Sequence, residues 1–477
     1  MNSTTIMGES KATLVQMQRL LRYINPEAPA GIEKIFLEES AIEGVKGDIA
    51  FCQAIHETDY FRFTGTAKRE WNNPCGLGVT GLEGVGARFS TWKLGVRAQI
   101  QHLKAYGSND SLRRLCVDPR FHLVTRGIAP KWINLNGRWA VPGKTYGQSI
   151  LALYARLLGL PKTHSITIDP GHGGADRANK GPTGYIEADG VLEISNYLKC
   201  FLEATGKWTA NLTRGADITI DLRIRSRMAK LNNSIIFVSQ HTNASGRALN
   251  STARGTEVFY SVDIARDRTV AQKLSKAISK ALGVPDRGAK TRTNPNPQPF
   301  DGKNTVEDYM AVVDEAQDIG IPHVFLVESA FHDHAEDEAL LKDRRNLMKI
   351  AIAQGIEFCK MFDISLDVPN QDVLTLQKLL NNKGYGLKED GYYGAQTGSA
   401  IMDFEHINKL PLTGLLSQGL ASLLTKSKED RLSEALAAAG WITDTNYWSS
   451  VFKGEVFANP EYLQIAFRRA LESQKLE

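Results

Sequence analysis

Three short apolar runs in this chain each end on a residue with usable chemistry, and that repetition restricts the fold more than any other feature. Ile166-Thr167-Ile168 runs into Asp169-Pro170-Gly171 and then His172. Ile235-Ile236-Phe237-Val238 leads through Ser239 and Gln240 to His241, and Val324-Phe325-Leu326-Val327 leads to Glu328. Runs of β-branched and aromatic residues closed by Pro-Gly or polar residues read as strands. In open α/β sheets the carboxyl ends of the strands are where ligands sit. Glu187 lies between the first two runs. Two imidazoles and one carboxylate form the usual donor set of a catalytic zinc, with the fourth position left to water. A further carboxylate, Glu328, has the chemistry to take a proton from such a water. Taken singly, each residue has a plainer reading: a strand-end histidine is commonly a hydrogen-bonded loop residue, and a lone glutamate is commonly solvated. Spacing alone leaves the two readings level.

The stretches ITIDPGHGG, GYIEADGVLEIS, LTRGADITIDLRIRSRMAKLNNSIIFVSQHTNA, GTEVFYS and VFLVESAFHDH occur in that order over about residues 163–362. Together they resemble the zinc-dependent N-acetylmuramoyl-L-alanine amidases. The resemblance implies that His172, Glu187 and His241 hold zinc and that Glu328 is the catalytic glutamate. It also implies the reaction, cleavage of the amide between the lactyl group of N-acetylmuramic acid and the first L-alanine of the peptidoglycan stem. Gln240 departs from the family, where an aliphatic residue is commoner, as do Ser329-Ala330 after Glu328; neither is a ligand position. The pattern predicts strands 166–169, 208–212, 235–240, 256–260 and 324–328, with helices 188–205, 221–231, 266–282 and 336–362, hence an α/β sandwich. The Pro/Asn-rich segment 288–305 reads as a loop, either bordering a substrate groove or plain surface. His323, His332 and His334 lie near Glu328; an extra imidazole there could hydrogen-bond the substrate carbonyl, but solvated histidines in HDHAEDE are the commoner case, with Asp333 and Asp337 as caps of the next helix.

Residues 1–160 read as mostly helical, with Leu14, Met17, Leu20 and Leu21 on one face. In GDIAFCQAIHETDYF, Ile49, Cys52, Ile55 and His56 form a helical stripe with Glu57 near its end. The helix macrodipole disfavours a negative charge there. That field and partial burial would both raise the pKa of Glu57, which suits a general acid; the competing reading is a solvated helix-end glutamate. The stretches AIHETDYFRFTGTAKREWNNPCGLGVTG, GARFSTWKLGVRAQIQHLKAYG and GRWAVPGKTYGQSILALY, within residues 35–158, are similar to bacterial endo-β-N-acetylglucosaminidases of peptidoglycan. The resemblance implies a lysozyme-like α-helical fold and makes Glu57 the acid for the β-1,4 bond after N-acetylglucosamine, with Tyr146 near the cleft. A second carboxylate, Glu83 or Glu70, or the substrate's own acetamido group would complete the hydrolysis. Trp71, Phe89, Trp92, Trp132 and Trp139 are numerous enough to suggest sugar stacking, although an aromatic at any one position is more often core.

Residues 363–370 read as a linker. Residues 371–425 place Val373, Leu376, Leu379 and Leu380 on one helix face, with a turn at Asp390-Gly391, and resemble the three-helix peptidoglycan-binding module, although Ser417-Gln418 depart from it. The alternative is a helical packing appendage. Residues 431–477 read as a helical tail that resembles short C-terminal repeats of phage lysins. A chain of 477 residues points to about three domains. The net charge of +4 is spread without a basic stripe, which sets aside a nucleic-acid binder. No apolar run is long enough to span a membrane, and MNSTTIMGESKATL lacks the layout of a signal peptide. Five scattered cysteines without a CxxC spacing read as reduced thiols.

The expectation is a multidomain chain: a lysozyme-like domain over 1–160, an α/β zinc amidase domain over 163–362, a binding module over 371–425 and a helical tail. It would be a bifunctional wall hydrolase with zinc as cofactor and peptidoglycan as substrate, without nucleic acid or membrane insertion. It would be made in a host cytoplasm as a phage or prophage lysin, with a bacterial autolysin using another export path as the alternative. The alternatives are an amidase whose flanking domains only bind wall, and a wall binder whose enzymatic folds have decayed. The presence together of His172, Glu187, His241, Glu328 and Glu57 speaks against the last.

Overall fold

The computed structural model describes residues 3–79, 85–246, 252–295, 307–366, 370–426, 428–440, 442–453 and scattered positions up to 469. Contacts divide the chain into two compact units, Met1–Leu366 and Asp367–Glu477.

The first unit opens with five helices: α1 (Leu14–Arg22), α2 (Ile32–Glu43), α3 (Gly47–Thr58), α4 (Trp92–Gly107) and α5 (Tyr146–Leu158). Their shared core contains Phe36, Ile49, Phe51, Phe61, Ile100, Ile150 and Trp132. The last of these takes the core side of the two readings open for it. Trp132 is fully buried in the short turn Trp132–Leu135, so it packs the core and cannot stack on a sugar. Glu39 and Glu43 of α2 are buried, but neither charge is left alone. Glu39 pairs with Arg97 and Arg114, and Glu43 with Lys104. A buried charge persists only when neutralised in this way.

Helix α1 is buried on more than its apolar side. Met17, Leu20 and Leu21 enter the helical core, while Gln16, Gln18 and Arg19 are also buried. Gln18 donates to the Phe362 carbonyl and meets His164 Nε2 at 3.0 Å, and Arg19 donates to the Thr163 carbonyl. His164 stacks on Phe362 with ring centroids 4.4 Å apart. Burial pushes its pKa down to about 3, so the imidazole is neutral. The polar side of α1 is thus a seam between the helical half and the α/β half of this unit.

The α/β half holds strands β1 (His164–Pro170), β2 (Trp208–Leu212), β3 (Ile236–Asn243), β4 (Thr256–Tyr260), β5 (Asp286–Lys290) and β6 (His323–Phe331). They form one sheet in the order β2-β1-β3-β6-β4-β5, parallel except where β4 runs against β6. Six helices accompany it: α6 (Glu187–Ala204), α7 (Leu222–Leu231), α8 (Arg268–Leu282), α9 (Ala311–Asp318), α10 (Ala335–Leu341) and α11 (Arg344–Met361). Phe237, Val324 and Leu326 pack with Ala229 of α7 and Val312, Val313 and Ala316 of α9. Phe325 points the other way, onto Phe358 of α11. Burial on both faces is why these strands read as unbroken apolar runs.

Strands β1–β4 and β6 and helices α6–α8 occur where the pattern places them. Strand β5 was read as loop, because DRGAK carries no apolar run and joins the sheet edge by backbone pairing with β4. Helix α9 was also missed, and residues 296–306 of the expected loop lie outside the described residues. The single helix expected over 336–362 is two, because Asp343 caps a fresh start by accepting from the Arg345 amide. The cap of α10 is His334, whose side chain accepts from the Asp337 amide. Asp333 and Asp337 are not the caps. Asp337 accepts from the Gly255 and Phe331 amides, and Asp333 from Ser245.

In the second unit α12 (Asn370–Asn381), α13 (Ala395–Ile407) and α14 (Gln418–Thr425) share a core of Leu376, Leu380, Ile401, Phe404, Leu420 and Leu424. Gln377 accepts from the Asp390 and Gly391 amides and so fixes the turn between the first two. Helices α15 (Lys428–Ala438) and α16 (Thr445–Phe452) follow.

Gln240, the unusual residue before His241, makes a reciprocal amide pair with Gln354 of α11 at 2.7 and 3.0 Å, both residues fully buried. Gln354→Leu is expected to cost about 1–3 kcal/mol by stranding the Gln240 amide. Adding Gln240→Leu should recover most of the loss; chemical denaturation of the two variants measures it.

Candidate active site

Strand β1 stops at Pro170, and the chain turns so that His172 adopts φ +58°. Gly171 is required by its neighbour: a Cβ there would stand 2.3 Å from the His241 ring. Two arginines with almost no exposure hold this turn from below. Arg214 donates to the carbonyls of Pro170, Gly171 and Ala188. Arg225 donates to the carbonyls of Pro170 and His172 and to Asp169, which also accepts from the hydroxyls of Thr213 and Ser239. None of these supports was singled out from sequence, although both arginines sit in the stretch that carries the family resemblance.

The turn brings His172 to Glu187, the first residue of α6, and to His241 on β3. His172 Nδ1 lies 2.8 Å from Asp176 Oδ2, and its Nε2 lies 3.3 Å from Glu187 Oε2. Asn179 Nδ2 is 3.1 Å from the same Nε2. His241 Nδ1 lies 3.0 Å from Glu187 Oε1, which also accepts from the Thr242 amide. One donor atom from each of His172, Glu187 and His241 lies within 4.8 Å of the others. Glu187 is 1% exposed and its Oε2 has no hydrogen-bond partner. A buried carboxylate whose two oxygens each face an imidazole nitrogen suits a cation. The electrostatics agree. Burial opposes the charge on Glu187, but the imidazoles of His172 and His241 outweigh it and hold the carboxyl below its usual range. Burial likewise opposes the His172 imidazolium, but Glu187 and Asp176 raise its pKa to about 9.

Glu328 pairs with His241 in the β3–β6 register, so the two side chains rise from the same face of adjoining strands. Burial, then the charges of Glu187 and Glu257, push its pKa well above the usual carboxylate range. Glu257 faces it across the β4–β6 pair and is held by Arg287 and Asn243. The expectation of solvated histidines is corrected. His332 is 3% exposed, its Nδ1 3.0 Å from Thr242 Oγ1 and 3.9 Å from Glu187 Oε2. His323 is buried at the start of β6 against Asp267. His323 opens β6 and His332 follows its last residue, and for His332 the polar sequence neighbours did not reveal the burial.

In the helical half, Glu57 lies near the end of α3. Tyr146 donates to its Oε1 at 2.5 Å. Burial raises its pKa, and hydrogen bonds from Tyr146 and Trp139 offset part of that rise. Trp71 is buried under the Arg88 guanidinium, Trp92 packs on Phe61 and Phe63, and Phe89 is half-buried beside the small cluster around Cys75. Glu70 is exposed, and Glu83 lies outside the described residues.

Residues 166–357 match the family profile described as N-acetylmuramoyl-L-alanine amidase, and residues 369–424 match one described as a peptidoglycan binding domain. An uncharacterized protein of Borreliella burgdorferi is 39% identical over 150 residues, 30% of this chain and 73% of its own length. N-acetylmuramoyl-L-alanine amidase AmiC of Escherichia coli is 29% identical over 223 residues, 40% of this chain and 52% of its own length. The endolysin of Bacillus phage SPP1 is 29% identical over 199 residues, 40% of this chain and 64% of its own length. The chain thus spans about half of AmiC and somewhat under two thirds of the endolysin. It belongs to the same family as the Borreliella protein, and it carries one segment that matches an N-acetylmuramoyl-L-alanine amidase profile and another that matches a peptidoglycan-binding profile.

Proposed function

We propose that the chain is a zinc-dependent hydrolase of the amide between N-acetylmuramic acid and L-alanine in peptidoglycan. In this reading a second centre in residues 1–160 cuts the glycan after N-acetylglucosamine. The observation that carries the first activity is Glu187, buried with one unpartnered oxygen between two imidazoles and beside Glu328. His172 Nε2, the Glu187 carboxylate and His241 Nδ1 would hold the ion. A bound zinc supplies Lewis acidity to the amide carbonyl and makes water a nucleophile near neutral pH.

The protein's own groups do the rest. Asp176 accepts the Nδ1 proton of His172 and so leaves Nε2 with its lone pair turned inward. Glu328 takes a proton from the attacking water as that oxygen bonds to the lactyl carbonyl carbon. It then gives the proton to the alanine nitrogen as the C–N bond breaks. Its base form needs positive charge close by, because Glu187 and Glu257 both oppose ionisation. In the helical half, burial raises the pKa of Glu57, which favours the acid form that would protonate the departing glycosidic oxygen, with water or the substrate's acetamido group meeting the anomeric carbon. Residues 371–425 would hold the enzyme on the wall. The phage SPP1 relative supports a phage or prophage lysin as the source.

Glu328→Gln should keep zinc and lower amidase turnover by about 10²–10⁴-fold, read as free stem peptides by mass spectrometry of digested wall. Release at the wild-type rate would remove Glu328 from the chemistry. Asp176→Ala should weaken zinc binding by about 10–100-fold in a chelator competition. Glu57→Gln should abolish new reducing ends while leaving amide cleavage, and chelation should do the reverse. Wild-type protein that releases stem peptides but never reducing ends would leave only the amidase. Because Glu57 must carry its proton to act, glycan cleavage should fall as pH rises through its raised pKa, and a pH profile of reducing-end release checks the sign.

A further inference from the structure

Behind Glu57 runs a chain of buried hydrogen bonds whose direction can be read from one end. Gln99 on α4 donates through Nε2 to the Ala50 backbone carbonyl at 3.0 Å and to Gln53 Oε1 at 2.8 Å. A carbonyl can only accept, so the amide orientation of Gln99 is fixed: its nitrogen faces Ala50. Gln53 on α3 must then turn its oxygen to Gln99 and its nitrogen outward. That nitrogen donates to the Tyr146 hydroxyl at 2.8 Å. The hydroxyl, occupied as an acceptor by Gln53, is left to donate to Glu57 Oε1 at 2.5 Å. Gln53 and Gln99 are both fully buried, so water does not compete for these bonds.

We propose that Gln99 and Gln53 are positioning residues that lock the Tyr146 hydroxyl as a donor and thereby place the acid proton of Glu57 on Oε2, the oxygen turned toward Gly76. With Oε1 occupied as an acceptor by the Tyr146 hydroxyl, the acid proton falls to the other oxygen. A Cβ on Gly76 would lie 3.9 Å from Oε2, so this oxygen faces the loop side of the domain while Oε1 faces its interior. The device deepens the reading of Glu57 as a glycan-cleaving acid and draws its purpose from that reading. An acid whose proton rests on one defined oxygen need not reorient before transfer.

The other groups around Glu57 do not offer a rival proton store. Burial holds the Cys75 thiol and the Tyr146 phenol neutral, raising both well above their usual values. His56, whose ring meets Tyr146 edge-on, is lowered by burial. Asp118 is tied to His102 Nδ1, and the ring of that histidine packs against Trp139.

The test is a carbon-13 titration of labelled glutamate carboxyls in the full chain, with the Glu57 signal assigned by its loss in Glu57→Gln. Tyr146→Phe removes the donor and should raise the Glu57 midpoint by about one unit. Gln53→Met leaves the hydroxyl free to turn and should raise it in the same direction, and it should add nothing on a Tyr146→Phe background. A midpoint unmoved by Gln53→Met, or effects that simply add, would overturn the proposal. If Gln53→Met fails to fold, Gln99→Met tests the next link, with a smaller rise expected and no change fatal. The titration needs no turnover, so it stands apart from reducing-end release by wild-type protein, which tests whether Glu57 is an acid at all.

Discussion

The amidase centre depends on two arginines that make no contact with its three proposed ligands' side chains. Arg214 and Arg225 direct their donors into the carbonyls of Pro170, Gly171, His172 and Ala188, and one carboxylate, Asp169, lies beside them. A turn that leaves a sheet would normally hydrogen-bond with water and sample several shapes. Here each carbonyl meets a planar, permanently charged donor that cannot be deprotonated. The turn is therefore rigid where the chemistry needs it to be, and His172 can sit at a positive φ without a glycine's freedom. The strain is met by buried hydrogen bonds rather than by the loop's own sequence.

The same arrangement explains what sequence could and could not convey. The strands that carry His172, His241 and Glu328 were legible because a strand covered on both faces must be apolar along its length, and its end is marked by the first polar residue. Strand β5 was illegible for the complementary reason: an edge strand needs only backbone partners, so DRGAK looks like a loop. His332 illustrates a third case. Its neighbours His334, Glu336 and Asp337 give the segment a solvated composition, yet the side chain turns under Thr242 and is buried. Local composition reports how polar a segment is, but which residues turn inward depends on what lies above them. Trp132 was open to two readings, since an indole that fills a core and one that stacks on a sugar have the same letter, and its burial selects the core.

The two proposed centres use burial in opposite ways. Around Glu187, desolvation is overcome by paired imidazoles, and the carboxyl stays ionised. Around Glu57, desolvation prevails against two hydrogen-bond donors, and the carboxyl leans toward its neutral form. A glutamate is thus fitted to bind a cation in one half and to deliver a proton in the other, and the number of positive neighbours decides which.

Helix α1 carries a consequence for how such chains can be recombined. Its glutamines and arginine grip Phe362 and Thr163, so the amidase half is completed by a segment from the far end of the sequence. Cutting at the apparent joint after residue 160 would remove the contacts that Gln18 and Arg19 make to His164, Phe362 and Thr163. A module boundary drawn by similarity alone is therefore not a folding boundary, and grafts that respect it would inherit an open wound on the back of the sheet.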